Sequence, residues 1–297
     1  MTTKFGPNYK LTVGLDPNPD GSTNAMVIEY PLTIEFDIER TTASSLNQGI
    51  IKIYNLNKVT QSKLIKDRFS PLTNFRTVVL QAGYQELSTI FFGNLWEAYS
   101  YRVEASGDVI TYLSAQDGGF AAYNSQSNAT LAAGSPYNKV FSKLVTDTGL
   151  QTGAVGQING STKRGIVLNG NSYDLLTNNF NNQVFIDNNQ INLLGPTETI
   201  TADIDLISSS TGLLGTPHRE ETFLVVETIF EPRIKVGQII KLQSEIDPRF
   251  VGQFKVMGIK HSGMISGAIG GDRKTTLQLF YGQTWQGGLT TINNNGS

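Results

Sequence analysis

The sequence predicts a mainly β protein of the α+β class, in which two related β barrels flank a small mixed α/β insertion. Three observations predict it. Apolar and polar residues alternate with period two along both ends of the chain, the middle carries helical spacing among small polar residues, and one order of strands and turns occurs twice. At 297 residues there is enough chain for two or three cores, and 39% apolar with 16% charged residues and 30 glycines marks a loop-rich β protein.

Residues 1–22, MTTKFGPNYKLTVGLDPNPDGS, are rich in Pro and Gly and read as an N-terminal arm, disordered on its own. Residues 23–118 read as the first barrel with one helix packed on it. Its opening strand, LTIEFDIER, places Leu32, Ile34, Phe36 and Ile38 on one face and Thr33, Glu35, Asp37 and Glu39 on the other. Like charges at spacing two sit roughly 6.8 Å apart, which in water costs about 0.6 kcal/mol per adjacent pair. Such a row is cheap when wet and ruinous when buried. Two readings stay open: a half-buried antiparallel strand with a solvated outer face, or a surface built to repel a like-charged species.

TTASSLNQG then connects to a second strand, IIKIYNL, as an extended hairpin. Asn57 caps a short helix, KVTQSKLIKD, that ends before Pro71. RTVVLQAGY, STIFFGNLWEAYSYRVEA and VITYLSAQDG follow as strands separated by polar or Gly-containing turns.

Residues 119–200 read as the insertion. Ser135 and Pro136 are placed as N-cap and first-turn proline of an amphipathic helix carrying Tyr137/Phe141, Val140/Leu144 and Phe141/Val145, stopping at Gly149. A second helix begins after Ser172, and QVFIDNNQINLL is a hairpin turning at Asp187-Asn188-Asn189. Residues 201–285 form the second barrel, with strands in TFLVVETIF, QIIKLQS, GQFKVMGIKHSG and TTLQLFYG, and residues 286–297 a flexible C-terminal tail. RTVVLQAGY, FFGNLWEAYSYRVE and VITYLSAQDG run parallel to QIIKLQSEI, FVGQFKVMGIKHSG and TTLQLFYG, and aligning Gly93 with Gly252 sets an offset of 159.

Chemistry is sparse. There is no cysteine, so no disulfide, thiolate nucleophile or thiolate metal ligand, and only two histidines, His218 in a loop and His261 at a strand end. No G-x-S-x-G elbow occurs. GAIGGDRKTT, residues 267–276, lacks the Gly-Lys-Ser/Thr of a phosphate loop and reads as a hairpin loop. Asp203/Asp205 and Glu220/Glu221 are paired carboxylates without an aromatic setting to grip a sugar, Trp96 and Trp285 reading as core or edge residues. No catalytic residue, cofactor or metal is expected. A net charge of −2 without a basic run disfavours nucleic-acid binding, and neither a signal peptide nor an 18-residue apolar run is present. The sequons at Asn128 and Asn159 are chance matches in an Asn-rich chain.

TGLLGTPHRE (211–220), LVVETIFEPRIKVGQIIKLQS (224–244) and FVGQFKVMGIKHSG (250–263) resemble the baseplate hub proteins of contractile-tailed bacteriophages, and TIEFDIERTTASSLNQGIIKIYNLN (33–57) is similar to the first barrel of that family. The motif positions are Gly212, Gly215, Pro217, Pro232, Gly237 and Gly252. The resemblance implies tube-like barrels and a homotrimer whose six barrels adapt a threefold spike to a sixfold tail tube. It also implies partners: the spike protein, the tail tube or tube-initiator protein, the tape-measure C-terminus, and DNA passing without specific binding. The expected location is the virion, after assembly in the host cytoplasm. In such a ring Glu35, Asp37 and Glu39 would face the lumen. Because the sequence stops soon after the second barrel, spike and wall-degrading domains are expected on partner chains. Alternatives are a hexameric tube-initiating or distal tail protein and a receptor- or carbohydrate-binding β protein.

Overall fold

Strict alternation in the opening strand holds: Ile34, Phe36 and Ile38 are buried while Glu35 and Asp37 are half-buried and Glu39 exposed. The computed structural model describes residues 4–15, 24–65, 76–181, 183–200, 205–268, 270–280 and 290–292. The first β unit comprises β1 (Asn8–Gly14), β2 (Ala25–Glu29), β3 (Ile34–Thr41), β4 (Gln48–Tyr54), β5 (Thr77–Gly83), β6 (Leu87–Arg102) and β7 (Val109–Gln116), with α1 (Lys58–Leu64) between β4 and β5. Asn57 caps α1 as expected, its Oδ1 accepting from the Thr60 N–H at 2.8 Å.

The insertion holds α2 (Gly119–Asn124), β8 (Gln126–Leu131), α3 (Tyr137–Thr148), β9 (Gln151–Val155), β10 (Ile166–Asn171), α4 (Ser172–Asn179), β11 (Val184–Asp187), β12 (Gln190–Leu193) and β13 (Glu198–Ile200). α3 buries Val140, Phe141, Leu144 and Val145 and stops at Gly149 in the left-handed region. Its N-cap is Pro136 rather than Ser135. The β11–β12 hairpin turns through Asn188 and Asn189, both at positive φ, a conformation asparagine tolerates. The second β unit comprises β14 (Asp205–Ile207), β15 (Leu213–Glu220), β16 (Phe223–Ile229), β17 (Ile239–Leu242), β18 (Gly252–Ile265), β19 (Arg273–Phe280) and β20 (Thr290–Ile292).

Three segments differ from what the sequence predicts. The N-terminal arm contains β1, which pairs with β2 and β5 and buries Tyr9, Leu11 and Val13 in the first core. Part of the C-terminal tail is strand, with β20 parallel to β13. His218 lies on β15, not in a loop. Residues 16–23, the stretch around Pro71, Asp203 and Trp285 lie outside the described residues.

Thirteen strands form one sheet, in the order β15-β16-β19-β18-β3-β4-β7-β6-β5-β1-β2, with β17 on β18 and β14 on β17. This path is open, and among the described residues no ring of strands closes, so the expected barrels are here two β units of one mainly antiparallel sheet. β18 joins the two units. Its first residues pair with β17, while Gly258–Ile265 pair with β3 and tie the two units edge to edge.

The internal repeat is present as paired strands. β5, β6 and β7 correspond to β17, β18 and β19, and each long strand carries a bulge against the strand that follows it, at Trp96 between Leu95 and Glu97 and at Met257 between Val256 and Gly258, β6 having a second at Ile90 against β5. Bulges add one unpaired residue and fix register. They align Trp96 with Met257, two residues away from the alignment of Gly93 with Gly252. Phe230 of the second unit inserts into the first core, 5.6 Å from the Phe36 ring, and its carbonyl accepts from the Tyr84 hydroxyl at 3.0 Å. Burying a side chain of this size contributes about 2–3 kcal/mol.

Candidate functional site

Across an antiparallel sheet, residues opposite one another share a face. One row therefore runs Tyr99, Tyr112, Lys52, Glu35 and Met264, and a second runs Glu97, Ser114, Ile50, Asp37, Ser262 and Lys274. A third joins Gln116, Gln48, Glu39, Lys260, Thr276 and Glu227. All three cross the β18–β3 junction without a break, so the two units present one polar face.

The acidic row is not bare. Lys52 Nζ donates to Glu35 at 2.9 Å, Lys260 pairs with Asp37 at 3.1 Å and Lys274 with Glu227 at 2.6 Å. The Tyr54 hydroxyl also donates to Glu35 at 3.1 Å, and the bond from Lys52 to Glu35 holds that ammonium above its ordinary pKa. Among the described residues Glu39 and Glu97 have no ion-pair partner. The face is a mesh of paired charges with two carboxylates to spare.

Behind this face lies a polar clamp that sequence reasoning missed. Arg40 is 2% exposed, and its Nε and Nη2 donate to the two carboxylate oxygens of Asp187 at 2.7 and 2.6 Å. Asn47 Nδ2 donates to the Ile186 carbonyl at 2.8 Å. The buried Asp117 carboxylate accepts the N–H groups of Asn188 and Asn189 at 2.5 and 2.8 Å. The insertion hairpin is thus bolted to β3 from its inner side. Burial, reinforced by Asp187, pushes Asp117 up to about 7 against the opposing backbone N–H groups and Arg40.

His261 faces inward from β18, its Nδ1 2.9 Å from Thr275 Oγ1, and burial followed by the charge of Arg40 depresses it to about 3. It is a core residue. The two groups have opposite linkage. The native state favours neutral His261, so its stability contribution is present above pH 6.5 and is lost on acidification toward 3. It also favours protonated Asp117, so acidification from 7 toward 3.8 adds stability. Each is worth about 1.4 kcal/mol per pH unit in its window. Between pH 6.5 and 4 the two slopes offset. Asp117→Asn is expected to make the urea midpoint fall from pH 6.5 to 4.5 more steeply than in the parent, and His261→Leu to make it rise relative to the parent.

The motif residues shape the second unit. Gly212 (φ +112°) follows the β14 turn, where a Cβ would meet Ile229 Cγ1 at 2.4 Å, and Gly237 (φ +86°) leads into β17 with a Cβ position 2.9 Å from Leu194. Gly215 and Pro217 lie in the irregular stretch of β15 between Leu214 and His218, Pro232 is buried beyond β16, and Gly252 opens β18. Asp205 pairs with Arg233 at 3.5 Å, Glu220 ends β15 while Glu221 lies in the β15–β16 turn at positive φ, and Trp96 packs on Tyr123. Among the described residues no cluster of three or more metal-ligating side chains occurs, and no helix is long and apolar enough to cross a membrane.

A profile of the family described as "Baseplate hub gp41" matches residues 11–263. No curated protein sequence matches the chain. Among solved structures, the fold is similar to the 43 kDa tail protein of prophage MuSo2 from Shewanella oneidensis. The TM-score is 0.59 at 8% identity, covering 92% of this chain and 98% of that one. A tail protein from Neisseria meningitidis MC58 gives 0.58 at 11% identity over 94% and 98%. The E. coli c3393 protein, a type VI secretion component described as similar to the T4 tail proteins gp27 and gp5, gives 0.56 at 9% identity over 85% and 74%. At these identities the likeness establishes the fold.

Proposed function

We propose a role from one premise: the chain belongs to the baseplate hub gp41 family, matched across both β units and the insertion. It is a structural protein of a phage-like tail baseplate and not an enzyme. Our reading adds that three copies form a ring in which six β units adapt a threefold spike to a sixfold tail tube. The observation that carries it is the duplication, two strand–bulge–strand units joined edge to edge through β18 and β3. Two near-equivalent surfaces per chain let a trimer meet a sixfold partner.

In this ring the polar face lines the channel, with Glu35, Asp37 and Glu39 toward the lumen. Its paired charges keep the wall hydrated, and the spare carboxylates of Glu39 and Glu97 repel phosphates within a Debye length of about 8 Å. Spike, tail tube or tube-initiator, and the tape-measure C-terminus are the partners this reading requires, in a contractile tail.

Native mass spectrometry of the chain, alone and mixed with its spike, tests the reading. A three-chain species, spontaneous or spike-dependent, is expected. A six-chain ring would replace the adaptor with a tube-type protein, and a monomer that binds glycan would replace it with a receptor-binding one.

A further inference from the structure

We propose that Asn159 is a self-modifying residue of the insertion. The backbone nitrogen of Gly160 attacks its carboxamide, and a side chain that is neutral in the new molecule becomes a carboxylate as the molecule ages. The inference is independent of the hub reading. Three Asn-Gly pairs occur in the sequence, beginning at Asn159, Asn169 and Asn295. Asn295 lies outside the described residues. The other two are the same dipeptide with an exposed asparagine, and the fold sets them apart.

The chemistry needs only water. The Gly160 N–H gives its proton to solvent base, the nitrogen bonds to Asn159 Cγ, the Cγ–Nδ2 bond breaks, and ammonia leaves with a proton from water. Water then opens the five-membered imide at one of its two carbonyls, giving aspartate or isoaspartate. Ring closure requires the nitrogen to reach Cγ at about 3–3.5 Å, so the backbone at the pair must be free to turn.

Asn159 and Gly160 lie outside helix and strand, between β9 and β10. The stretch is anchored at its two ends. The Gln157 N–H donates to Glu198 Oε1 at 3.0 Å, and the Gly160 carbonyl accepts the Tyr137 N–H at 3.2 Å at the start of α3. Between these anchors the N–H groups of Ile158, Asn159 and Gly160 and the Asn159 carboxamide make no hydrogen bond among the described residues. Gly160 sits at φ +90°, and the nearest atoms to where a Cβ would stand belong to the Tyr137 ring, at 3.6 and 3.7 Å. The missing side chain leaves the attacking nitrogen unshielded.

Asn169 lies on β10 opposite Asn128, with Gly170 opposite Ser127 on β8. The next residue holds this backbone further. Asn171 Oδ1 accepts the N–H groups of Tyr173 and Asp174 at 2.9 and 3.1 Å, and its Nδ2 donates to the Ala122 carbonyl at 2.7 Å. Ring closure at Asn169 must first open the ladder, a cost that Asn159 does not carry. At Asn159 the aspartate product adds a carboxylate to a cleft of about 410 Å³ that Glu198 already lines. Isoaspartate lengthens the backbone by one carbon between the two anchors, so the hydrogen bond at the start of α3 or the one to Glu198 gives way.

The test incubates the full chain in mildly alkaline buffer, folded and in urea, and follows the mass gain of amide-to-acid conversion by tryptic mapping. Lys163 and Arg164 stand between the two pairs, so cleavage places them on separate peptides. In urea the two asparagines are expected to convert at similar rates. In the folded chain Asn159 is expected to convert at least about tenfold faster than Asn169, equivalent to roughly 1.4 kcal/mol of local opening. Asn159→Gln, whose longer side chain cannot close the five-membered ring, is expected to keep its mass. An Asn159 that stays intact in the folded chain, or converts there no faster than Asn169, overturns the proposal.

Discussion

Arg40→Met is expected to destabilise the chain by about 3–5 kcal/mol, the cost of leaving one member of a buried ion pair without its partner. β3 turns Arg40 inward, on the side of Phe36 and Ile38, where it is almost wholly buried and holds both oxygens of Asp187. Without the guanidinium, Asp187 loses its cation partner beside Asp117, whose carboxyl burial has already pushed up to about 7. The hairpin that carries Asp187 then loses its bolt to the back of the polar face. Replacing both partners, Arg40→Met with Asp187→Leu, removes the unpaired charge and is expected to recover all but about 2 kcal/mol. Urea unfolding measures both. A loss below about 1 kcal/mol for the single variant would show that the clamp is not holding the insertion in place.

Reversing the two spare carboxylates, Glu39→Lys with Glu97→Lys, is expected to lower genome delivery at least about tenfold while particles still assemble. The pairs Lys52–Glu35 and Lys260–Asp37 survive this change. A lysine about 4 Å from a phosphate gains roughly 1 kcal/mol even in water, and three chains supply six such lysines to a moving duplex. One 1.4 kcal/mol increment of sticking is already a factor of about ten. The neutral variant, Glu39→Gln with Glu97→Gln, should fall between the parent and the reversal. Infective titre per assembled particle is the measurement, and an unchanged titre for the lysine variant would remove the face from the channel wall.

Local patterns carried much of this architecture. Alternation along Ile34–Thr41 reported which side chains face the core, the Asp-Asn-Asn stretch reported a hairpin, and Asn57 reported a helix start. β1 was equally legible in the alternation of Tyr9, Leu11 and Val13, but the prolines and glycines around it outweighed a short period-two signal. The repeat was visible as an order of strands, while its register depended on bulges at Trp96 and Met257 that no residue type announces.

The polar face shows the limit most clearly. Glu35, Asp37 and Glu39 are adjacent along one strand, so their shared face follows from period two. Lys260, which neutralises Asp37, arrives from β18 through a pairing that depends on the whole sheet topology. Arg40 left one trace, a charged residue where the alternation calls for an apolar one, and its partner Asp187 lies in another part of the chain.

An electron cryomicroscopy reconstruction of the hub assembled with its spike distinguishes a three-chain adaptor from every other arrangement. Three chains and six β units are expected around one opening, with Glu39 and Glu97 on its wall. A ring of six chains, or three chains with this face turned outward, would contradict it.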